Sequence, residues 1–255
     1  MAPPIALTRE ITPAITQCEL THLARAPIDL GCARLQHAEY ERTLATLGCE
    51  VRRLPAAPEM ADSVFIEDTA IVFDELAIVT RPGAVSRRLE TTAVADALAA
   101  FRTLHGIVAP AIADGGDVLV AGRRVFVGVS TRTNRDAVAQ MRRVLVPVGY
   151  RVDEVAVTGC LHLKSAVTAL DDDVLLINRG WVDAAVFTGF ELVDIDPAEP
   201  YAANALRVGG SIVFPSEFPR TGDAIRSRGF DVRAVPAGEL AKAEGAVTCC
   251  SLILR

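Results

Sequence analysis

The chain has 255 residues, 51% of them hydrophobic, and a mean hydropathy of +0.31, which is ample for a sizeable core in one large domain or two small ones. With 32 acidic against 26 basic residues the net charge is −6; there is no basic run and no aromatic interleaving, so a nucleic-acid partner is not expected, whereas a cationic ligand is compatible. No stretch approaches ~18 uninterrupted apolar residues, Met1-Ala2-Pro3-Pro4 carries no basic-then-apolar signal pattern, and Cys18, Cys32, Cys49, Cys160, Cys249 and Cys250 show neither CxxC pairs nor a disulfide-dense spacing; the expectation is a cytoplasmic protein with free thiols, no membrane partner and no structural zinc.

Along the chain, residues 34–48 have helical spacing and stop at Gly48, after which Cys49–Leu54 alternates like a strand. Val64-Phe65-Ile66 and Ala70–Phe73 flank Glu67-Asp68; Leu76–Val79 follows a turn, then a helix is expected over 86–104 and a strand over 106–109. From Gly116 the order strand, strand, helix, strand returns, with the helix expected over 135–148. His162 opens a third copy, Asn204 a fourth and Cys249 a fifth, which only the N-terminal helix and strand can complete. The starts are spaced by roughly 40–50 residues, the mark of propeller-like or stacked repeats. Five such modules fit one closed ring without an open sheet edge. Equivalent positions then converge on the axis, so Glu67-Asp68, Asp114 with Asp117, His162, Asn204 and Cys249 should face one another across a central channel.

Gly245–Ser251 carries the strongest chemical signal. Alone, Cys249-Cys250 reads as two small buried hydrophobes, but a thiol becomes a nucleophile beside an imidazole that can come from far away in sequence. Four histidines are present: His22, His37, His105 and His162. His162 lies in a module-opening motif. Cys250, as a strand neighbour of Cys249, is expected to point away from the site.

Six motifs occur in a telling order: Asp62–Asp68; Arg81-Pro82-Gly83 with Ser86-Arg87-Arg88; Asp114-Gly115-Gly116-Asp117; Ser130–Asn134; His162-Leu163-Lys164; and Thr248–Ser251. In these the chain resembles the dimethylarginine dimethylaminohydrolases, within the superfamily of guanidine-modifying enzymes, over nearly its whole length. The resemblance implies a single catalytic α/β domain over 1–255, a five-module α/β propeller (the pentein fold) whose last module both termini complete. It also implies hydrolysis of Nω-methylated arginines to citrulline and a methylamine through a covalent cysteine intermediate, with no metal or organic cofactor. Cys249 matches the nucleophile, His162 the acid/base and Asp114 the carboxylate that orients it, where bacterial members often carry Glu. Asp62 and Asp68 match the carboxylates that hold the guanidinium, with Glu67 in support. Arg87 and Arg132 match the cations for the substrate carboxylate, Leu20 and Ala243 stand where backbone carbonyls meet the substrate amine, and Phe65 belongs to the same contact set. A homodimer is compatible with the resemblance.

The nearest rival is an arginine deiminase. Those enzymes carry a carboxylate two residues after the catalytic histidine, where this chain has Lys164. An agmatine deiminase would leave Arg87 and Arg132 without a carboxylate to bind. A non-catalytic binding protein, as translation initiation factor 6 is on the same fold, would not need Cys249, His162 and Asp114 together.

Overall fold

The computed structural model describes residues 3–255; Met1 and Ala2, part of the N-terminal stretch read above, lie outside them. The chain enters as β1 (Ile5–Arg9), crosses through α1 (Leu30–Thr46) and returns as β2 (Glu50–Leu54), parallel to β1. Next come β3 (Ala70–Val72), β4 (Leu76–Val79), α2 (Glu90–Leu98) and β5 (Thr103–Gly106), then β6 (Val118–Ala121), β7 (Arg124–Val129), α3 (Arg135–Leu145) and β8 (Arg151–Ala156). The single turn of α4 (Leu163–Ala166) leads into β9 (Val167–Ala169) and β10 (Val174–Ile177), and a 3₁₀ turn, Ala184–Phe187, replaces the crossover helix before β11 (Glu191–Asp194). Then β12 (Leu206–Val208), β13 (Ser211–Pro215), α5 (Pro219–Ser227) and β14 (Asp231–Val235) repeat the pattern, and α6 (Gly238–Ala241) precedes β15 (Leu252–Leu254).

Every sheet has three strands in the same arrangement: the first is antiparallel to the second, and the second is parallel to the third. The fifth sheet has the order β15-β1-β2, with Ile5 opposite Leu254, so the last module is closed by segments from both ends of the chain. This is the five-module α/β propeller expected above. Middle strands are buried nearly throughout, as in β7, whereas the outer strand β8 buries only Val152 and Val155, which lie on opposite faces and join different core clusters. Apolar side chains gather between neighbouring sheets: Ile71 and Ile78 of the first module pack with Val125, Val127 and Met141 of the next.

Some boundaries differ from expectation. α1 begins at Leu30, four residues before the periodic stretch, because the Asp29 side chain accepts a hydrogen bond from the Cys32 amide at 2.9 Å and caps the helix. α2 covers only Glu90–Leu98, after a 3₁₀ turn at Val85–Arg87. Past it the Phe101 and Arg102 amides both donate to the Leu98 carbonyl, and Thr103–Gly106 pairs in parallel with Leu76–Val79. That pairing is non-local, so helical propensity alone reads through it. α3 gives way to a 3₁₀ turn at Val146–Val148, which contains Pro147.

The polar residues that open each module stand in short turns just before the first strands rather than in them: Ile66–Thr69, Gly115–Asp117, the turn begun by His162, the residues around Asn204, and Val247–Cys250. The inner strands thus carry five turns to one region of the axis. Because β15 supplies the inner strand of its module, Leu254→Ala, at a side chain 4% exposed, should destabilise the protein by about 2–4 kcal/mol as a buried core leucine does. Leu35→Ala, at a residue 73% exposed, should change little, and urea unfolding of both variants checks the contrast.

Candidate active site

His162, 5% exposed, caps the short turn of α4, and its Nε2 lies 3.1 Å from Asp114 Oδ2. Asp114 is itself fixed: Oδ1 accepts from the Gly83 amide at 2.9 Å, and its own amide donates to Thr133 Oγ1 at 3.1 Å. The motifs around Gly83 and Ser130–Asn134 therefore hold the orienting carboxylate. On the other side of the ring, Nδ1 is 3.8 Å from Asp68 Oδ1. Burial alone would favour neutral imidazole, but Asp68, Asp114 and Asp117 hold the ring charged and its pKa is pushed up to about 9.

The two glycines after Asp114 permit this crowding. A Cβ at Gly115 would stand 2.0 Å from the Glu67 carbonyl, and one at Gly116 would be 2.6 Å from His162 Nδ1. Without side chains there, the Gly116 amide donates to Asp68 Oδ1 at 2.9 Å. The motif is a turn, and the turn is packed against the imidazole.

Cys249 lies in the turn before β15, is 8% exposed, and its Sγ accepts from the Ala246 amide at 3.4 Å. Its carbonyl accepts from the Glu67 amide at 3.1 Å, which ties this turn to the first module's. Burial, reinforced by Glu67 and Asp68, pushes the thiol up to about 12, so the free protein holds a thiol and not a thiolate. Cys250 does turn its thiol elsewhere, towards the Ala246 carbonyl at 3.5 Å, but through turn geometry and not by strand alternation.

Asp62, Asp68, Arg132, His162 and Cys249 line one narrow cleft, with Phe65 and Ala243 on its wall. Both Asp62 oxygens accept from the Glu19 amide, at 3.1 and 3.3 Å. Leu20 is not among the lining residues, but its neighbour Glu19 is, and Thr21 on the other side accepts a hydrogen bond from Arg132 Nη2 at 3.1 Å. Among the described residues Arg132 has no carboxylate partner.

Two expectations need correction. Arg87 borders the cleft, but its fork is engaged within the protein: Nη1 donates to Asp68 at 2.5 Å, Nη2 to Glu90 at 2.8 Å and to the Phe65 carbonyl at 3.0 Å, and Nε to Glu90. One Nη1 hydrogen is left, so bidentate capture of a substrate carboxylate is not available to it. Although burial opposes the charge, His162 and Arg87 together hold Asp68 at about 2. Glu67, expected to support the guanidinium, faces away from the cleft. Its Oε1 accepts from Lys164 Nζ at 2.5 Å and its Oε2 from Thr248 Oγ1 at 2.8 Å, and both residues border a wider polar pore on the far side of the channel, beside Arg207 and Asp172. Lys164 thus points inward and neutralises a carboxylate.

Sequence reading missed Glu244. Its carboxylate accepts three backbone amides, from Thr21 at 3.0 Å, His22 at 2.5 Å and Leu23 at 2.6 Å, and folds this segment against the cleft. Its φ of 58° is the only positive value at a non-glycine among the described residues, and no side-chain pattern announces it. Asp68, Asp114 and His162 also bring one donor atom each within 4.8 Å of one another, a spacing a metal could use. The Arg87 guanidinium on Asp68 and the direct His162–Asp114 bond already satisfy this set as a charge network.

If Arg87 is a buried counterion, Arg87→Ala leaves Asp68 and Glu90 uncompensated and should cost about 3–5 kcal/mol of stability, read by urea unfolding. An unchanged unfolding curve with weaker ligand binding would return Arg87 to the role of carboxylate clamp.

No family model matches the chain. A curated N(G),N(G)-dimethylarginine dimethylaminohydrolase of Streptomyces coelicolor is 37% identical over 253 residues, 98% of this chain and 96% of its own. The protein of the same description from Pseudomonas aeruginosa is 34% identical over 234 residues, 91% of each chain. Among solved structures, the cysteine-to-serine mutant of Pseudomonas aeruginosa DDAH complexed with citrulline superposes with a TM-score of 0.94 at 30% identity, over 100% of both chains. The N-terminal domain of ArgZ, an arginine dihydrolase, matches with a TM-score of 0.84 at 18% identity and so shares the fold. Alike in sequence along nearly its full length to enzymes of one kind, and folded as they are, the chain belongs to the dimethylarginine dimethylaminohydrolase family.

Proposed function

We propose that the chain hydrolyses Nω,Nω-dimethyl-L-arginine and Nω-monomethyl-L-arginine to L-citrulline and dimethylamine or methylamine, with the five modules acting as one catalytic unit. The observation that carries this reading is the meeting, in one cleft, of a thiol, a charged imidazole backed by a carboxylate, and an arginine with no carboxylate partner among the described residues. Relatives named for this reaction and a neighbour that holds citrulline support it.

A guanidinium carbon is a poor electrophile because its charge is delocalised, so the cation must be clamped and a thiolate brought to it. Asp68 and Asp62 are the carboxylates that clamp it, and Arg132 pairs with the substrate carboxylate. The carbonyls of Leu20 and Ala243 lie on the two segments that flank the cleft and suit the α-amine. The bound cation offsets the Glu67 and Asp68 charges that burden the thiol, so Cys249 releases its proton to solvent and attacks the carbon. Imidazolium His162 protonates the departing amine; the neutral ring, held by Asp114, then takes a proton from water as the water displaces the thiolate from the thiouronium. Water is consumed and His162 ends protonated. The proton that Cys249 gave to solvent and the one shed by the oxygen as citrulline forms are taken up by the thiolate and by the free amine, so the thiol is restored and the amine leaves as an ammonium.

Methylation fits the acceptor supply. Asp68 already accepts from Gly116 and Arg87, Asp62 from Glu19, and Glu67 is withdrawn by Lys164. Free arginine presents two more N–H donors than its dimethylated form, and a buried donor left unpaired costs about 1–3 kcal/mol. With this proposal go the cytoplasm as compartment, no nucleic-acid partner and pairing of two chains, the last open to sedimentation.

Citrulline formation from asymmetric dimethylarginine, monomethylarginine, arginine and agmatine is the direct test. The methylated forms should be preferred over arginine by roughly 10–150-fold in kcat/KM, and arginine turned over equally well would replace the reading with that of a deiminase. The pH profile tests His162. Raised to about 9, the imidazole is protonated at neutral pH and loses its proton as pH climbs through that value, so kcat/KM should fall on an alkaline limb near pH 9. Asp114→Asn removes a negative neighbour and should move the limb to lower pH; a limb that stays in place would detach it from the His162–Asp114 pair.

A further inference from the structure

Asn204 opens the fourth module and has no part in the chemistry above, yet it is 3% exposed and uses both ends of its amide. Its Nδ2 donates to the Lys164 carbonyl at 3.0 Å and to Thr248 Oγ1 at 2.9 Å, while its Oδ1 accepts from the Thr248 amide at 3.0 Å. Lys164 follows His162 by two residues, and Thr248 directly precedes Cys249. The side chain therefore spans the turn of the acid/base and the turn of the nucleophile.

Its own backbone is held equally firmly. Thr168 Oγ1 donates to the Ala203 carbonyl at 2.7 Å and accepts from the Ala205 amide at 3.1 Å, so one hydroxyl on β9 pins the peptides on both sides of Asn204. Thr248 Oγ1 passes the contact on to Glu67 Oε2 at 2.8 Å, and the Glu67 amide returns to the Cys249 carbonyl at 3.1 Å. Four modules are thereby stitched around the axis behind the cleft; Glu67 reaches both catalytic turns too, but Asn204 is the neutral member that binds the Lys164 carbonyl and the Thr248 amide, the backbone of both turns. It is not among the residues that line the cleft.

We propose that Asn204 is a positioning residue that fixes the Cys249 turn relative to the His162 turn, and so sets the rate of the chemical steps without contributing to substrate binding. The assignment rests on the hydrolase reading. A thiolate and an acid must approach one carbon from set directions, and a misplacement of about 1 Å can cost about 100-fold in rate.

The test compares the parent with Asn204→Ala and with Asn204→Asp, which keeps an acceptor for the Thr248 amide but loses both donors. In each variant kcat for dimethylarginine should fall by about 10–100-fold, while KM and the calorimetric Kd for citrulline stay within about threefold. A kcat within about threefold of the parent overturns the assignment. So does a rise in Kd that matches the loss of rate, or loss of citrulline binding in both variants, either of which would make Asn204 a residue of binding or of the fold. A parent without turnover sinks the hydrolase reading instead. The assignment is then judged by iodoacetamide alkylation of Cys249, which needs no substrate; an unchanged alkylation rate in both variants overturns it.

Discussion

Charge without water is the condition on which the centre of this molecule depends. Glu67, Asp68, Glu90, Asp114 and Asp117 are all nearly inaccessible to solvent, as are His162 and Arg87. An isolated ion in such a place is costly enough to neutralise or to unfold its surroundings. Each carboxylate is accordingly met by a cation, a hydroxyl or a backbone amide: Arg87 for Asp68 and Glu90, Lys164 for Glu67, His162 and Gly83 for Asp114, and Ser130 with the Leu163 amide for Asp117. The two glycines at 115 and 116 bring the backbone close enough to take part. Burial, with the negative charge of Glu67 and Asp68 added to it, raises the Cys249 thiol to about 12 and leaves the centre electrostatically incomplete. In the proposed reaction a guanidinium would supply the missing cation and so link recognition to activation, since the ligand that fits would also be the one that makes the nucleophile.

The same condition explains why Arg87 and Arg132, so alike in motif position, differ in use. Arg87 sits three residues before Glu90 and beside Asp68, and these carboxylates take up its fork. Arg132 leans on the Thr21 hydroxyl and stands at the cleft with its charge unopposed by a carboxylate among the described residues. A motif match identifies the residue type, but it does not say which acceptors have claimed it.

Much of the architecture could be read from the residues. The recurring order of strands and helix fixed five modules, and the polar openers at Asp68, Asp114, His162 and Cys249 do face one region, because equivalent turns in a ring converge whatever their sequence. Short-range detail was less legible where a distant partner decides it. The end of α2 depends on pairing with β4, the inward course of Lys164 on a carboxylate 97 positions away, and the fold of residues 21–23 on Glu244 more than 200 positions on. Helix caps such as Asp29 were legible in principle, since Asp before a periodic stretch is a start signal. The unusual backbone of Glu244 was not, because nothing in a glutamate announces a left-handed residue.

The cleft and the far pore are lined by adjacent residues of the same turns. Asp68 and Cys249 face the cleft, whereas their chain neighbours Glu67 and Thr248 face the pore, as does Lys164 two residues after His162. The field at the sulfur is therefore shaped from two directions, only one of which opens on the cleft. Residues on the pore side can drift, and with them the reactivity of the thiol, without any change in the side chains that line the cleft. The sulfur can thus be retuned from a face of these turns that the cleft does not expose.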